Sequence, residues 1–277
     1  MHSPAPSGGI PLGAIPALVI VAMLVGGAIV GLVIDSLRPG AITGGAFGLD
    51  GWRDALTDRE FARAVWFTTK VSVITTALAT IGALTLAVGL RSRPRWLLGA
   101  IALPIPVPHL AVATVAVAWL APGGLVERII GTLPFMVIGD RHGIGIIVVY
   151  LYKEIPFLTL LTLASWDQCT IELEHVAATL GASRLWRLRD VVWPRIGSPL
   201  VAGALVVGAF TLGATEVPLL VGPTHPDTIA TYALTTVRIN GPAGRATAAA
   251  ALVTVVVLML VCAALAAFVH RQLRRRR

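Results

Sequence analysis

Residues 246–277 read ATAAAALVTVVVLMLVCAALAAFVHRQLRRRR. From Ala246 to Val269 no residue is charged, and the apolar run is followed at once by Arg271, Arg274, Arg275, Arg276 and Arg277. A helix crossing the hydrocarbon core of a bilayer needs about 20 mostly apolar residues, so this run is long enough to span. Arginines directly behind such a run read as a cytoplasmic stop signal. Lipid offers no partners to backbone polar groups, so a spanning segment of this kind has to be a helix. The fold class follows: all-α, a polytopic membrane protein.

Working outward, five more segments meet the length: 12–34, 64–90, 97–121, 143–166 and 199–222. The six predicted spans leave only Lys70, Lys153, Glu154 and Glu216 well inside them, as the cost of burying charge in lipid demands. The whole chain of 277 residues agrees, with 56% hydrophobic and 13% charged residues where a soluble domain carries about 25% charged. Its net charge of +8 would suit a nucleic-acid partner if the basic residues formed one surface. Instead they sit at span ends: Arg91, Arg93 and Arg95 between spans two and three, Arg184, Arg187, Arg189 and Arg195 after span four, and the tail. Membrane lipid, not nucleic acid, is the expected surface. By the positive-inside bias both termini are expected in the cytoplasm of a prokaryote, at its plasma (inner) membrane. The loop after span one balances Arg38, Arg53, Arg59 and Arg63 against Asp50, Asp54, Asp58 and Glu60. Span one has no Lys or Arg before it and exceeds the 7–15 residue core of a signal peptide, so it is expected to be a retained anchor.

Catalytic chemistry finds no residues to carry it. None of the six histidines is followed by Glu, which excludes a His-Glu-x-x-His zinc site, and Lys70 and Lys153 are followed by Val and Glu, which excludes a Gly-Lys-Ser/Thr phosphate loop. Cys169 and Cys262 read as small buried hydrophobes. No catalytic residue, metal or cofactor is expected on this chain, and any energy source must lie on another.

The least hydrophobic long stretch of the inward side is 168–198. Thr170 with Glu172 and Glu174 behind it predicts a helix start, Leu173, Val176, Ala177 and Leu180 recur at helical spacing, and Gly181 predicts its end. A second helical stretch, 184–193, carries Leu185, Leu188 and Val192 on one face and arginines on the other, which also suits an interfacial helix at anionic headgroups. Pro194 and Pro199 are expected to interrupt the chain before span five.

Here the chain resembles the permease subunits of binding-protein-dependent ABC importers of the type-1 transmembrane fold. Their cytoplasmic signature is Glu-Ala-Ala, three residues, Gly, nine residues, then Ile-x-Leu-Pro. Registered on Gly181, the triplet falls on His175, Val176 and Ala177, and the closing group on Val191, Val192, Trp193 and Pro194. Ala177, Gly181 and Pro194 match in identity, while His175 replaces the acid and Glu174 stands one place earlier. Segments 152–157 and 216–223 are similar to the polyamine and ferric-iron branch. The resemblance covers residues 60–270 and implies a coupling helix between spans four and five that docks on an ATPase subunit. The loop residues it points to are Glu174, His175, Val176, Ala177, Gly181, Val191 and Pro194. It implies partners as well: ATPase subunits that bind ATP and Mg, a second permease, homologous or identical, and an extracytoplasmic solute-binding protein. The expected organisation is an anchor and first outward loop (1–60), the transmembrane domain (61–270) and a basic tail (271–277). An oligomeric secondary transporter or channel without an ATPase is the rival reading, although the halves show no inverted repeat.

Inside the spans, Glu216 beside Pro218 reads either as part of a translocation path or gate or as half of an ion pair with Lys70 or Lys153. Pro104, Pro106 and Pro108 forbid a regular helix, so span three either lines a cavity or bends for packing. Lys153 and Glu154 are adjacent, point to different helix faces and need not pair with each other. Glu154, Pro106 and Pro108 join Glu216 and Pro218 as candidate path residues. His109 reads as a satisfied polar residue or a ligand.

Overall fold

The computed structural model describes residues 12–37, 47–91, 93–132 and 134–275. After a short 3-10 turn come α1 (Ile15–Leu37), α2 (Asp50–Thr57), α3 (Arg59–Leu90), α4 (Arg95–Ala102), α5 (His109–Leu120), α6 (Leu125–Ile130) and α7 (Ile144–Ala164). Then follow α8 (Gln168–Thr179), α9 (Arg184–Arg187), a π-helical turn (Leu188–Val192), α10 (Trp193–Gly213), α11 (Glu216–Val221), α12 (Ile229–Asn240), a 3-10 turn and α13 (Arg245–Arg275). Six stretches are long and apolar enough to cross a membrane: Ile15–Leu37, Arg59–Leu90, His109–Ile130, Ile144–Ala164, Arg184–Gly213 and Ile229–Leu265. The all-helical, six-span expectation therefore holds.

Lipid removes most of the hydrophobic drive between helices, so the spans associate through small residues that let backbones approach. Ala79, Ala83 and Ala87 of α3 are fully buried, and Gly82 faces Ile155 of α7. Gly203 of α10 lies so close to Leu158 and Leu161 of α7 that a Cβ there would come within 2.4 Å of a leucine methyl. α3, α7 and α10 form the centre of the bundle. α1 packs on α13 at the periphery and keeps Val21, Met23 and Leu24 exposed, as a lipid-facing helix should. Trp52 of α2 pins it by donating to Ser36 Oγ at 3.2 Å.

Two helices, α2 and α12, are absent from the six-segment reading. α12, with 12 residues, is too short to span alone and joins α13 in the stretch Ile229–Leu265, so the sixth span starts earlier than the expected 246. Its start is built from Thr228 and Thr231, which cap each other's backbone. The Ile229 N–H donates to Thr68 Oγ1 at 2.8 Å, and the Tyr232 hydroxyl donates to Asp58 Oδ2 at 2.7 Å. α12 is thereby fixed to α3 and feeds into α13.

Span three breaks as its prolines predict: α4 stops at Ala102 and α5 restarts at His109, because Pro104, Pro106 and Pro108 have no N–H to give a continuing helix. Two expectations are corrected. Span five is not continuous over 199–222: α10 ends at Gly213 and Glu216 opens the separate α11. Pro218 therefore lies in a first turn, where its missing N–H would have had no helical partner, and loosens nothing. Conversely, Pro194 and Pro199 do not break the chain. Pro194 cannot bond back to residue 190, and the wider π-helical turn just before it absorbs the missing bond, so one helical rod runs over 184–213.

Candidate functional site

The two broken spans meet inside the bundle, with α11 packed on α5 and α7. In the bend between α4 and α5 the carbonyl of Pro104 keeps only a turn bond from the Val107 N–H at 3.3 Å, and those of Ile105 and Val107 look to a side chain. The Lys153 ammonium donates to all three, at 2.8 Å to Pro104 O, 2.7 Å to Ile105 O, and to Val107 O as well. An ammonium has three donors and no acceptor, so this cage uses it fully and offsets the burial of its charge. Pro106 and Pro108 themselves stay exposed on the outside of the bend.

Glu154, the next residue on α7, turns to the other side of the break. Its Oε1 lies 3.1 Å from Nε2 of His109, the first residue of α5. Lys153 and Glu154 thus hold the two ends of one interruption through separate partners. The His109 ring packs 4.6 Å from Phe210 of α10, and both rings meet Tyr150 edge-on. The Tyr150 hydroxyl is buried with no hydrogen-bond partner and lies within electrostatic range of Glu154 and Glu216. Glu216 accepts from the Thr215 N–H at 3.3 Å. The expected ion pair of Glu216 with Lys70 or Lys153 does not form: Lys153 is spent on carbonyls, and Lys70 sits 5.2 Å from the Phe67 ring centre. Glu154 and Glu216 converge on Tyr150 here, and Pro218 is buried in α11. His109 is the residue whose role the sequence undervalued, because its partner is 45 positions away.

The 168–198 loop forms a second centre. Asp167, not Thr170, caps α8: its Oδ1 accepts from the Thr170 N–H at 2.8 Å and from the Thr170 hydroxyl at 2.5 Å. These bonds hold the Asp167 carboxyl below the usual carboxylate range. The cap therefore stabilises α8 above the ordinary aspartate pKa, about 3.9, and is lost as pH falls through the lowered folded value. Asp167→Ala should speed hydrogen exchange at the first amides of α8, and Asp167→Asn, which keeps the acceptor oxygen, should largely preserve protection. Equal exchange in Asp167→Ala and the wild type would remove the cap from the account.

At the other end, the Gly181 N–H donates to Ala178 O and the Ala182 N–H to Ala177 O, both at 3.0 Å, closing α8 with a left-handed turn at Gly181 (φ +83°). Between its caps α8 has two faces. Thr170, Glu174 and Ala177 are buried, whereas Leu173, Val176 and Leu180 point outward, Leu180 with 82% of its surface exposed. His175 is exposed too. Glu174 faces Arg91 at the end of α3, with 2.6 and 2.5 Å from Nη1 to its two oxygens, and the Arg91 guanidinium lies 4.9 Å over the Trp166 ring. The acid assigned to the docking face therefore joins the loop to a spanning helix. Val191 is buried, and Val192 and Ile196 pack against Trp166, so the closing group of the motif seats the loop on α10. Arg91 was legible in the sequence as an orientation signal only, being 83 residues from its partner.

A double-mutant cycle tests the bridge. Glu174→Gln and Arg91→Gln should each lower the unfolding midpoint of the detergent-purified chain, and the double variant should lose less than their sum, with a coupling of about 0.5–3 kcal/mol. Strict additivity would contradict the bridge.

At the opposite end of α3, a pocket of about 360 Å³ is lined by Glu60, Arg63, Trp66, Lys70 and Arg141 among others. No group of three or more metal-ligating side chains occurs among the described residues.

Comparison with known proteins agrees with this architecture. The family model for the inner membrane component of binding-protein-dependent transport systems matches residues 79–276. The inner membrane ABC transporter permease protein YnjC of Escherichia coli (strain K12) is 29% identical over 205 residues, which is 70% of this chain and 39% of that protein. The permease protein YdcU of the same organism is 34% identical over 84 residues, 30% of this chain and 27% of that one. The matched segments span well under half the length of these curated relatives. Among solved structures, a chain of a bacterial alginate ABC transporter in complex with an alginate pentasaccharide-bound periplasmic protein superposes with TM-score 0.77 at 20% identity, covering 95% of this chain and 94% of that one. A chain of a bacterial ABC transporter involved in importing the acidic polysaccharide alginate gives 0.73 at 19%, covering 93% of both. The chain belongs to the family of binding-protein-dependent transport system inner membrane components, which are transport permeases and not enzymes, and is a multi-pass inner-membrane protein.

Proposed function

We propose that the chain is the translocation subunit of an ATP-driven ABC importer, with the 168–198 loop as its coupling element. The observation that carries this reading is the two-faced α8: Leu173, Val176 and Leu180 are held out for a partner, while Glu174 grips Arg91 on α3. Two ATPase subunits, which bind ATP and Mg, dock on that exposed strip. A second permease, homologous or identical, completes the path, and a solute-binding protein delivers cargo to the opposite end. The loop face and both termini lie in the cytoplasm. Closure of the ATPase dimer on ATP moves α8, the Glu174–Arg91 bridge passes the movement to α3, and α3 passes it to α7, where Lys153 and Glu154 hold the broken span. ATP biases the equilibrium because it binds the closed arrangement better than the open one.

For cargo, the convergence of Glu154 and Glu216 on Tyr150 favours a cation, polyamine-like or ferric-iron-like. The pocket bearing Arg63, Lys70 and Arg141 favours a second reading, an anionic solute met at the outer end of α3. Titrating candidate solutes into the solute-binding protein encoded beside this chain separates the two. Selective binding of a polyamine or ferric ion supports the cation, and selective binding of an anion or a neutral sugar removes it.

A further inference from the structure

The end of α3 and the α9 segment enclose a cleft of about 860 Å³ whose wall holds the Glu174–Arg91 bridge and three further arginines that have no role above. Arg91, Arg93, Arg184 and Arg187 line it, and its one carboxylate, Glu174, is already paired with Arg91. Three guanidinium groups therefore face the cleft without an acid from its wall. Arg187 Nε is moreover buried with no hydrogen-bond partner. Like charges gathered in one cleft repel one another, and an anion supplied from outside offsets that cost. An oxyanion suits it, because the guanidinium fork matches phosphate oxygens.

The rest of the lining narrows the ligand. Val88, Leu185 and Leu188 make the cleft partly apolar, and Leu185 is 75% exposed. The cleft lies where the spans Arg59–Leu90 and Arg184–Gly213 end, at headgroup depth whichever side of the membrane this face occupies. Guanidinium groups beside an exposed leucine at that depth fit an amphiphile better than a free ion, and basic pockets between spanning helices hold anionic headgroups.

We propose that this cleft binds an anionic phospholipid, with its phosphodiester on Arg93, Arg184 and Arg187 and an acyl chain along Leu185 and Leu188. The lipid braces the loop against α3 beside the Glu174–Arg91 bridge.

The test is native mass spectrometry and thermal unfolding of the full-length chain in mild detergent, after addition of phosphatidylglycerol or phosphatidylcholine with identical acyl chains. Phosphatidylglycerol should be retained and raise the unfolding midpoint, and phosphatidylcholine should do neither. Arg184→Gln with Arg187→Gln should lower phosphatidylglycerol retention about tenfold or more. Leu185→Glu, at an exposed position that folding tolerates, should lower it as well by setting a carboxylate at the mouth. Equal retention of the two lipids, or retention that neither variant changes, would overturn the proposal. Stabilisation by inorganic phosphate alone, with displacement of the lipid, would assign the cleft to a free anion instead. Loss of bound lipid whenever an ATPase subunit docks would assign it to a protein contact.

Discussion

Lys153→Met is expected to destabilise the detergent-purified chain by about 2 kcal/mol or more, from about 1–3 kcal/mol for each of the two carbonyls left without a donor. Methionine keeps the length and apolar stem of lysine but donates nothing. The oxygens of Ile105 and Val107 then lose their ammonium donor, and Pro104 O keeps only the Val107 N–H at 3.3 Å. Lys153→Arg, with five donors on a rigid fork, should recover part of the loss. The measurement is the unfolding midpoint together with protease sensitivity of the bend at 103–108. A Met variant within about 0.5 kcal/mol of the wild type, the range of an ordinary surface substitution, would show that the cage contributes nothing.

Gly181→Val is expected to abolish uptake while leaving the chain inserted and its spans intact. The left-handed backbone at Gly181 (φ +83°) is a true outlier for a β-branched residue, with a strain of about 1–3 kcal/mol. No atom lies within 4 Å of a Cβ added there, so space does not limit the substitution and handedness does. This gives a sharp order. Gly181→Asn, which visits the left-handed region readily, should retain most uptake despite its larger side chain, Gly181→Ala should fall between, and Gly181→Val should be inactive. Ranking by side-chain volume would put Asn well below Ala, and finding that order would contradict the backbone account.

The sequence made the spans legible because membrane insertion is decided by composition over about 20 residues, which one chain displays without its partners. The end of α8 was legible for a local reason as well, since the closing turn needs only Gly181 and its neighbours. Pairings at long range were not. Glu174 and Arg91 both stood out, but nothing local says that an acid on a short helix will find an arginine 83 residues earlier. Lys153 was marked as a misplaced charge, and its partners turned out to be carbonyls, which every residue carries and no side-chain motif reveals. The prolines acted in opposite ways. Pro104, Pro106 and Pro108 broke a span as expected, while Pro194 is accommodated by the π-helical turn at Leu188–Val192 just before it and Pro199 sits inside α10 without ending it. α12 escaped notice because it is held by Thr68 of α3 and by Asp58, which caps α3, not by its own apolar pattern.

The central claim is that this chain passes force from an ATPase through α8. Co-purification of the tagged full-length chain with the ATPase subunit encoded alongside it, wild type against Val176→Asp and Leu180→Asp, tests it most directly. Both positions are exposed, so neither aspartate disturbs the fold. The account predicts that the wild type retains the ATPase in detergent and that each aspartate strips it away. A wild-type chain that never brings down an ATPase and still supports uptake without ATP would contradict it, and would leave a secondary transporter or channel in its place.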